Sequence, residues 1–478
     1  MTPLVENTHK DRARSGLSNS LALFVALLVL LVTLLPACVF SSSRDSGPRQ
    51  SDDSPAKRTD RSEDEGKGGN DSSDSRSVDS SNDPGKSDVG EVRRIPLEDF
   101  NPADSTRAIQ QALDDGADTV VIPYTARPWI VRPLFLRSHT RLVFEPGVIL
   151  EAKRGEYRGK HDSVLLAKNV RDVQIIGYGA TIRMHRDDYK GAGYEKAEWR
   201  HGICLKGAVD VEVHGIRVEE SGGDGLYIGP TWDSLRNNCR NVVVTDCHFD
   251  RNYRQGITVV AGINIKIENC LMTGTAGTAP QAGIDLEPSH PKDSMEAILV
   301  RNCVAEGNAG SGLLANLTRL SNKSRPVAIR VENFLVRDSV QPGIRAILRE
   351  DFGAEGFVDF VNCTVEDTQY AGAVVIWDPG TGIDLSFKDC RWSNVARRAN
   401  EPPMFFDFPC KVPGKRGCTI SFENFHVYDD KDRDLVILKD PNQARLDNLS
   451  GEITAFGSRP RIRAFNAMPK LQLKRGNR

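Results

Sequence analysis

The segment Gly283-Ile284-Asp285-Leu286-Glu287-Pro288 sets two carboxylates two residues apart in a run whose alternate positions are apolar. On a strand, residues two apart share a face, so Asp285 and Glu287 are expected side by side, roughly 6–7 Å apart at the strand rise. Two carboxyls are what glycoside hydrolysis needs, about 5–5.5 Å apart in retaining and 6.5–9.5 Å apart in inverting enzymes. Crowded carboxylates also raise one another's pKa, which divides them into an acid and a base.

Six other segments share this register: HGICLK from His201, DGLYIG from Asp224, QGITVV from Gln255, SGLLAN from Ser311, PGIRAI from Pro342 and AGAVVI from Ala371. Their third and fifth residues are apolar and face a core; the fourth and sixth face away. One outward row is therefore Cys204, Tyr227, Thr258, Asp285, Leu314 and Arg345. The other is Lys206, Gly229, Val260, Glu287, Asn316 and Ile347. A slip of one residue would reverse both faces. Apolar neighbours such as Val260 and Leu314 argue that Asp285 and Glu287 do more than solvate a surface. His201, Asp224 and Gln255 fill the slot ahead of the shared glycine, so His201 and Asp224 should touch. Tyr189, Tyr194, Trp199, Tyr227, Trp232 and Tyr253 cluster near this edge. Aromatic faces pack on sugar rings and arginine pairs with uronate or sulfate, so Trp199, His201, Tyr227, Arg254, Gln255, Asn316 and Arg345 are expected to bind substrate.

A repeat must position these residues. Seven stretches read apolar, any residue, Asn or Asp, then Cys or Phe: VTDC, IENC, VRNC, VENF, FVNC, FKDC and FENF. Their Asn/Asp positions (246, 269, 302, 333, 362, 389, 424) are 23, 33, 31, 29, 27 and 35 residues apart. A constant strand with a variable step predicts an all-β solenoid, a parallel β-helix of about ten coils. Stacked about 4.8 Å apart, Asp246, Asn269, Asn302, Asn333 and Asn362 should form a ladder that caps backbone groups at a bend. Cys247, Cys270, Cys303, Cys363 and Cys390 should form a buried, reduced stack. Metal ligation would need CxxC-like clustering, and no metal site is expected.

The chain has 478 residues and a formal net charge of -2. Without a basic block in the folded part, nucleic acid is not expected as a partner. An apolar run from Leu21 to Leu35 follows Lys10, Arg12 and Arg14 and ends in Pro36-Ala37-Cys38. This reads as an export signal with a lipobox, Cys38 being the acylated anchor to a membrane. The organisation expected is a signal over 1–38, a disordered polar linker over 39–93, a β-helix over 94–470 acting as a monomer, and a basic tail over 471–478. In an exported protein Cys410 and Cys418 could close a disulfide.

The segment DSTRAIQQALDDGADTVVIP, from Asp104, gives a helix capped by Asp104 or Ser105 and then a strand. This order closely resembles the entry coil of the pectin-lyase-like right-handed parallel β-helices, among them polygalacturonases, pectate lyases and alginate-acting enzymes. The resemblance implies that fold and a polysaccharide partner. In SGGDGLYI, from Ser221, Asp224 holds the aspartate position of the polygalacturonase Asn-Thr-Asp strand. The remaining polygalacturonase set is missing: Arg254-Gln255 replaces an Asp pair, Gln281-Ala282-Gly283 replaces Gly-His-Gly, and there is no Arg-Ile-Lys. The expected function is an exported glycoside hydrolase for an acidic or complex polysaccharide, with Asp285, Glu287 and Asp224 catalytic and no cofactor. One alternative is a lyase or uronate epimerase, with calcium on Asp285 and Glu287 and a base among Lys206, Arg254, His201 and Tyr227. Another is a non-catalytic polysaccharide-binding or cell-surface structural β-helix.

Overall fold

The structure, a computed structural model, describes residues 90–348, 353–377, 382–398, 401–407, 419–439, 448–457, 459–464 and 470–476. Cys38, the leader and linker that contain or follow it up to residue 89, and the Cys410–Cys418 pair lie outside the described residues.

One coil shows the plan. Val209–His214 runs into a bend at Gly215 and Ile216, then Arg217–Glu219, a loop, Leu226–Gly229, and a second loop before Cys239–Thr245 opens the next coil. The first two strand types form a 24-stranded sheet bent over two faces; the third forms a 12-stranded sheet. Neighbouring coils pair in parallel, as at Val211 with Val242 and Leu226 with Ile257. The chain folds as a right-handed parallel β-helix, with somewhat more coils than the repeat count predicted.

Alternation drives this arrangement. Ile203, Leu205, Leu226, Ile228, Ile257, Val259, Ile284 and Leu286 all point inward and are buried. The five cysteines of the repeat are free and buried beside them. Further along, Phe360, Phe387 and Phe422 stack with ring centroids 4.9 and 5.3 Å apart. At the entry, the helix Thr106–Asp114 buries Ile109, Ala112 and Leu113 over the end of the core. Asp104 rather than Ser105 supplies the capping side chain: its Oδ1 accepts the Thr106 N–H at 3.1 Å. Burial opposes its ionisation, but hydrogen bonds from Lys153 and Thr106 win and hold its carboxyl at about 2.

The asparagine ladder forms, although its purpose differs from expectation. Nδ2 of Asn269, Asn302, Asn333 and Asn362 donates to the preceding Oδ1 at 3.1, 3.2, 2.9 and 2.7 Å. These side chains are exposed and cap no backbone group. The bend N–H groups already have partners, as Asn269 to Arg301 O and Asn302 to Glu332 O, both at 3.0 Å. What the bend requires is a left-handed residue: Asp246, Asn269, Asn302, Asn333 and Asn362 have φ between 50° and 57°. Asparagine tolerates that region better than most residues and also links to its neighbours.

Asn302→Ala should therefore lower stability by about 1–3 kcal/mol, from a strained φ and two lost hydrogen bonds. Asn302→Gly should recover the φ part alone and fall between alanine and wild type. Urea midpoints for the three proteins test this ordering, and an unchanged alanine midpoint would deny the ladder any stabilising role.

Candidate functional site

The 12-stranded sheet pairs residues in the register read from sequence. Cys204, Tyr227, Thr258, Asp285, Leu314 and Arg345 are successive partners, and Lys206 pairs with Gly229 and Asn316 with Ile347. The glycine ahead of each strand keeps the coils this close: a Cβ on Gly225 would lie 2.8 Å from Gly256 O, and one on Gly256 2.6 Å from Gly283 O.

Outward from the core does not mean exposed here. Asp285 lies in the outward row as expected, yet it and Asp224 are 0% exposed, and His201, Tyr227, Gln255 and Thr258 are buried with them. The ring of Tyr227 lies across Gly229, where a Cβ would meet its hydroxyl at 2.4 Å. It packs with Cys204 and Val260 in a small apolar cluster outside the main core. A row spaced about 4.8 Å apart and roofed by such a ring shields its own side chains.

Arg254 organises the centre. Its Nη1 lies 3.6 Å from Asp224 Oδ1, its Nη2 3.2 Å from Glu287 Oε2 and its Nε 3.6 Å from Glu198 Oε1. Asn316 Nδ2 donates to the other Glu287 oxygen at 2.8 Å. Gln255 Nε2 donates to Asp285 Oδ2 at 2.9 Å, while its Oε1 accepts the Ala282 N–H at 2.6 Å. Both Asp224 oxygens, Asp285 Oδ1 and Arg254 Nε have no hydrogen-bond partner. Orphaned buried polar atoms cost stability, and functional sites are where they tend to persist.

His201 and Asp224 do touch, at 3.3 Å. The contact is not an ion pair, because His201 Nδ1 accepts the Asp224 N–H at 3.1 Å and so carries no proton. Burial first, then Lys206 and Arg254, hold the imidazole well below its ordinary pKa. Its ring stacks on Tyr227 with centroids 4.8 Å apart. Burial pushes Asp224 up to about 7 against the pull of Arg254. Asp285 is driven well above its ordinary value by burial and then by Glu287. The surrounding carboxylates outweigh the burial of Arg254 and keep it a cation.

The segment before Ile203 forms a strap beside this centre. Fully buried Arg200 pins it by donating to the carbonyls of Glu195 at 2.6 Å, Tyr157 at 2.7 Å and Arg158 at 3.2 Å. Tyr189 and Tyr194, expected at a sugar cleft, instead flank the Arg200 guanidinium. Trp199 is half-buried and stacks on His161. Trp232 is the exposed aromatic of the cluster, over Arg236. Arg345 is half-buried two coils beyond Asp285, has no ion-pair partner among the described residues, and has its pKa lowered by burial. Sequence reading missed Glu198 and Thr278, whose hydroxyl donates to Glu198 Oε2 at 3.2 Å. Neither belongs to the strand register, and only the aromatic residues Tyr189, Tyr194 and Trp199 drew notice to the strap.

Calcium on Asp285 and Glu287 does not fit, because Asn316 and the cationic Arg254 already take the two Glu287 oxygens and Gln255 takes one of the Asp285 oxygens. Of the bases suggested for elimination, His201 is buried, burial lifts the Tyr227 hydroxyl well above its ordinary pKa, Arg254 is held as a cation, and Lys206 is half-buried over the Tyr227 ring.

The fold is the right-handed parallel β-helix that the resemblance noted in the sequence implied. The sequence profile of the family described as right handed beta helix region matches residues 180–287 and 235–325. The A-module of the mannuronan C-5 epimerase AlgE6 of Azotobacter vinelandii superposes with a TM-score of 0.56 at 16% identity, over 81% of this chain and 100% of that one. The family 28 exopolygalacturonase of Yersinia enterocolitica gives 0.54 at 15%, over 81% and 78%. The uncharacterized protein YclG of Bacillus subtilis (strain 168) is 29% identical over 140 residues, 27% of this chain and 22% of that protein. The match thus spans about a fifth of that relative's length.

A carboxyl held at about 7 makes stability depend on pH. Between about pH 4 and 7 the folded chain keeps a proton on Asp224 that the unfolded chain has lost, so stability falls as pH rises through that window. The full effect of about three units is on the order of 4 kcal/mol. Asp285 contributes in the same direction in both proteins, so Asp224→Asn should flatten the decline without abolishing it. Urea midpoints at several pH values test this, and parallel declines for mutant and wild type would mean that Asp224 is not protonated in the fold.

Proposed function

We propose that the protein is an exported glycoside hydrolase acting on an acidic polysaccharide, with Glu287 as the catalytic carboxylate that meets the substrate. The observation that carries this reading is the gathering of Asp224, Asp285 and Glu287 around Arg254. Glu287 alone of these three carboxylates reaches solvent, with 31% of its side chain exposed. Asp224 and Asp285 lie behind it and set the charge of the site. Hydrolysis requires carboxyls in two protonation states, and burial against neighbouring acids supplies that difference here. Arg345 and Lys206, on the same face, suit a substrate carrying carboxylate or sulfate. The epimerase and polygalacturonase that share the fold act on glycans by their names, which agrees with a glycan substrate; fold likeness alone does not assign a reaction. The Arg254 guanidinium among the carboxylates and the burial of His201 and Tyr227 favour hydrolysis over elimination.

Purified full-length protein incubated with uronic and sulfated polysaccharides should release new reducing ends without the ultraviolet absorbance of an unsaturated uronate. Glu287→Gln should lower kcat by about a hundredfold or more while the fold survives. Absorbance growth instead would identify a lyase, and binding without turnover by wild type would leave a polysaccharide-binding protein.

The export reading rests on the apolar run before Cys38. Cys38→Ala should move the protein from the detergent phase to the aqueous phase in phase partitioning. Equal partitioning of mutant and wild type would exclude acylation at this residue.

A further inference from the structure

The acid that completes the site comes from the strap, not from the strand register. A glycan can reach a carboxylate only where the side chain is exposed. Asp224 and Asp285 show none of their surface, whereas the side chains of Glu287 and Glu198 are 31% and 34% exposed. These two flank the same guanidinium, Glu198 at Arg254 Nε and Glu287 at Nη2, 3.6 and 3.2 Å away. Two contacts on one planar fork limit the separation of those oxygens to about 9 Å, a ceiling compatible with the spacings of both glycosidase classes.

We propose that Glu198 is the second catalytic carboxylate, the general acid that works opposite Glu287. The proposal rests on the hydrolase reading and assigns its missing partner. The hydrogen bonds divide the roles. Glu287 accepts at both oxygens, from Asn316 and Arg254, and is thereby held in the acceptor role of a base. Glu198 accepts at Oε2 from Thr278, while its Oε1 is beyond hydrogen-bond distance from an Arg254 Nε that has no partner. That oxygen is the one left free to meet a ligand. The backbone around it is fixed: Arg200 bridges to Gly222, and a Cβ on Gly223 would lie 2.8 Å from Glu198 O. Glu198 is thus presented by a braced segment, as preorganised catalysis requires.

In the step, the proton on Glu198 Oε1 passes to the glycosidic oxygen as the bond from that oxygen to the anomeric carbon breaks. Water forms the new bond to that carbon and gives its proton to Glu287. One water is consumed, two chain ends result, and proton exchange with solvent resets both carboxyls.

The test compares Glu198→Gln, Glu198→Asp and Glu287→Gln on whichever glycan the full-length wild type turns over. Glu198→Gln should lower kcat by about a hundredfold or more with KM little changed. On the corresponding glycosyl fluoride, whose leaving group needs no proton, its loss should shrink to less than about tenfold. Glu198→Asp keeps the carboxyl and shortens its reach, so it should also lose kcat on the polysaccharide while sparing the fluoride, and it serves if the glutamine variant fails to fold. Equal losses on polysaccharide and fluoride, or near-wild-type turnover by Glu198→Gln beside an inactive Glu287→Gln, would overturn the assignment and leave the hydrolase reading standing. A wild type that turns over no glycan would overturn both.

Discussion

Each coil of this chain must sit about 4.8 Å above the last with its residues in strict register, and the consequences of that spacing run through the molecule. Any side chain is forced against its counterpart one coil away. Like on like is favourable for flat rings, as in the Phe360–Phe387–Phe422 stack, and for thiols that behave as small hydrophobes. It is favourable for asparagine because one amide both donates and accepts, so the ladder from Asp246 to Asn362 extends itself. Gly202, Gly225, Gly256 and Gly283, ahead of their third-face strands, exist because the next coil's carbonyl occupies the space of a Cβ.

The same spacing is unfavourable for carboxylates, which accept and cannot donate while ionised. Asp285 and Glu287 on one coil, with Asp224 two coils away, repel one another, and burial makes the repulsion stronger. Arg254 offsets part of this by presenting a different nitrogen to Asp224, Glu287 and Glu198. One cation among four acids leaves an excess, which is absorbed as protons on the buried aspartates. A core optimised for stability would not hold this combination, and its unpartnered Asp224 oxygens among the described residues mark where stability has been given up.

Repetition alone cannot build an asymmetric site. The strap before Ile203 breaks the repeat and is braced by Arg200, a buried guanidinium directed at backbone carbonyls rather than at a carboxylate. Tyr189 and Tyr194 support that guanidinium, so aromatic residues that suggested a sugar platform are part of the brace. The candidate site is thereby assembled from rungs that supply regular spacing and from one insertion, which brings Glu198 to the Arg254 guanidinium.

The solenoid, the bend asparagines, the inward cysteines and the register of Asp285 with Thr258 and Leu314 were legible in the chain, because a period of two and a recurring motif are local properties. So was the meeting of His201 with Asp224, which follows from a shared slot one coil apart. Exposure was not legible. Alternation tells which side of the sheet Asp285 faces; whether a ring such as Tyr227 or a strap lies over that side depends on residues from other coils and from outside the repeat. Glu198 was invisible for the same reason, since 56 residues of sequence separate it from the arginine it faces, and only the folded strap brings them together. The sequence by itself determined the coil and the direction of each side chain, which local periodicity dictates. The tertiary structure decided which carboxyls are buried, which are protonated and which can meet a ligand, because those depend on the whole surrounding volume of charge and packing.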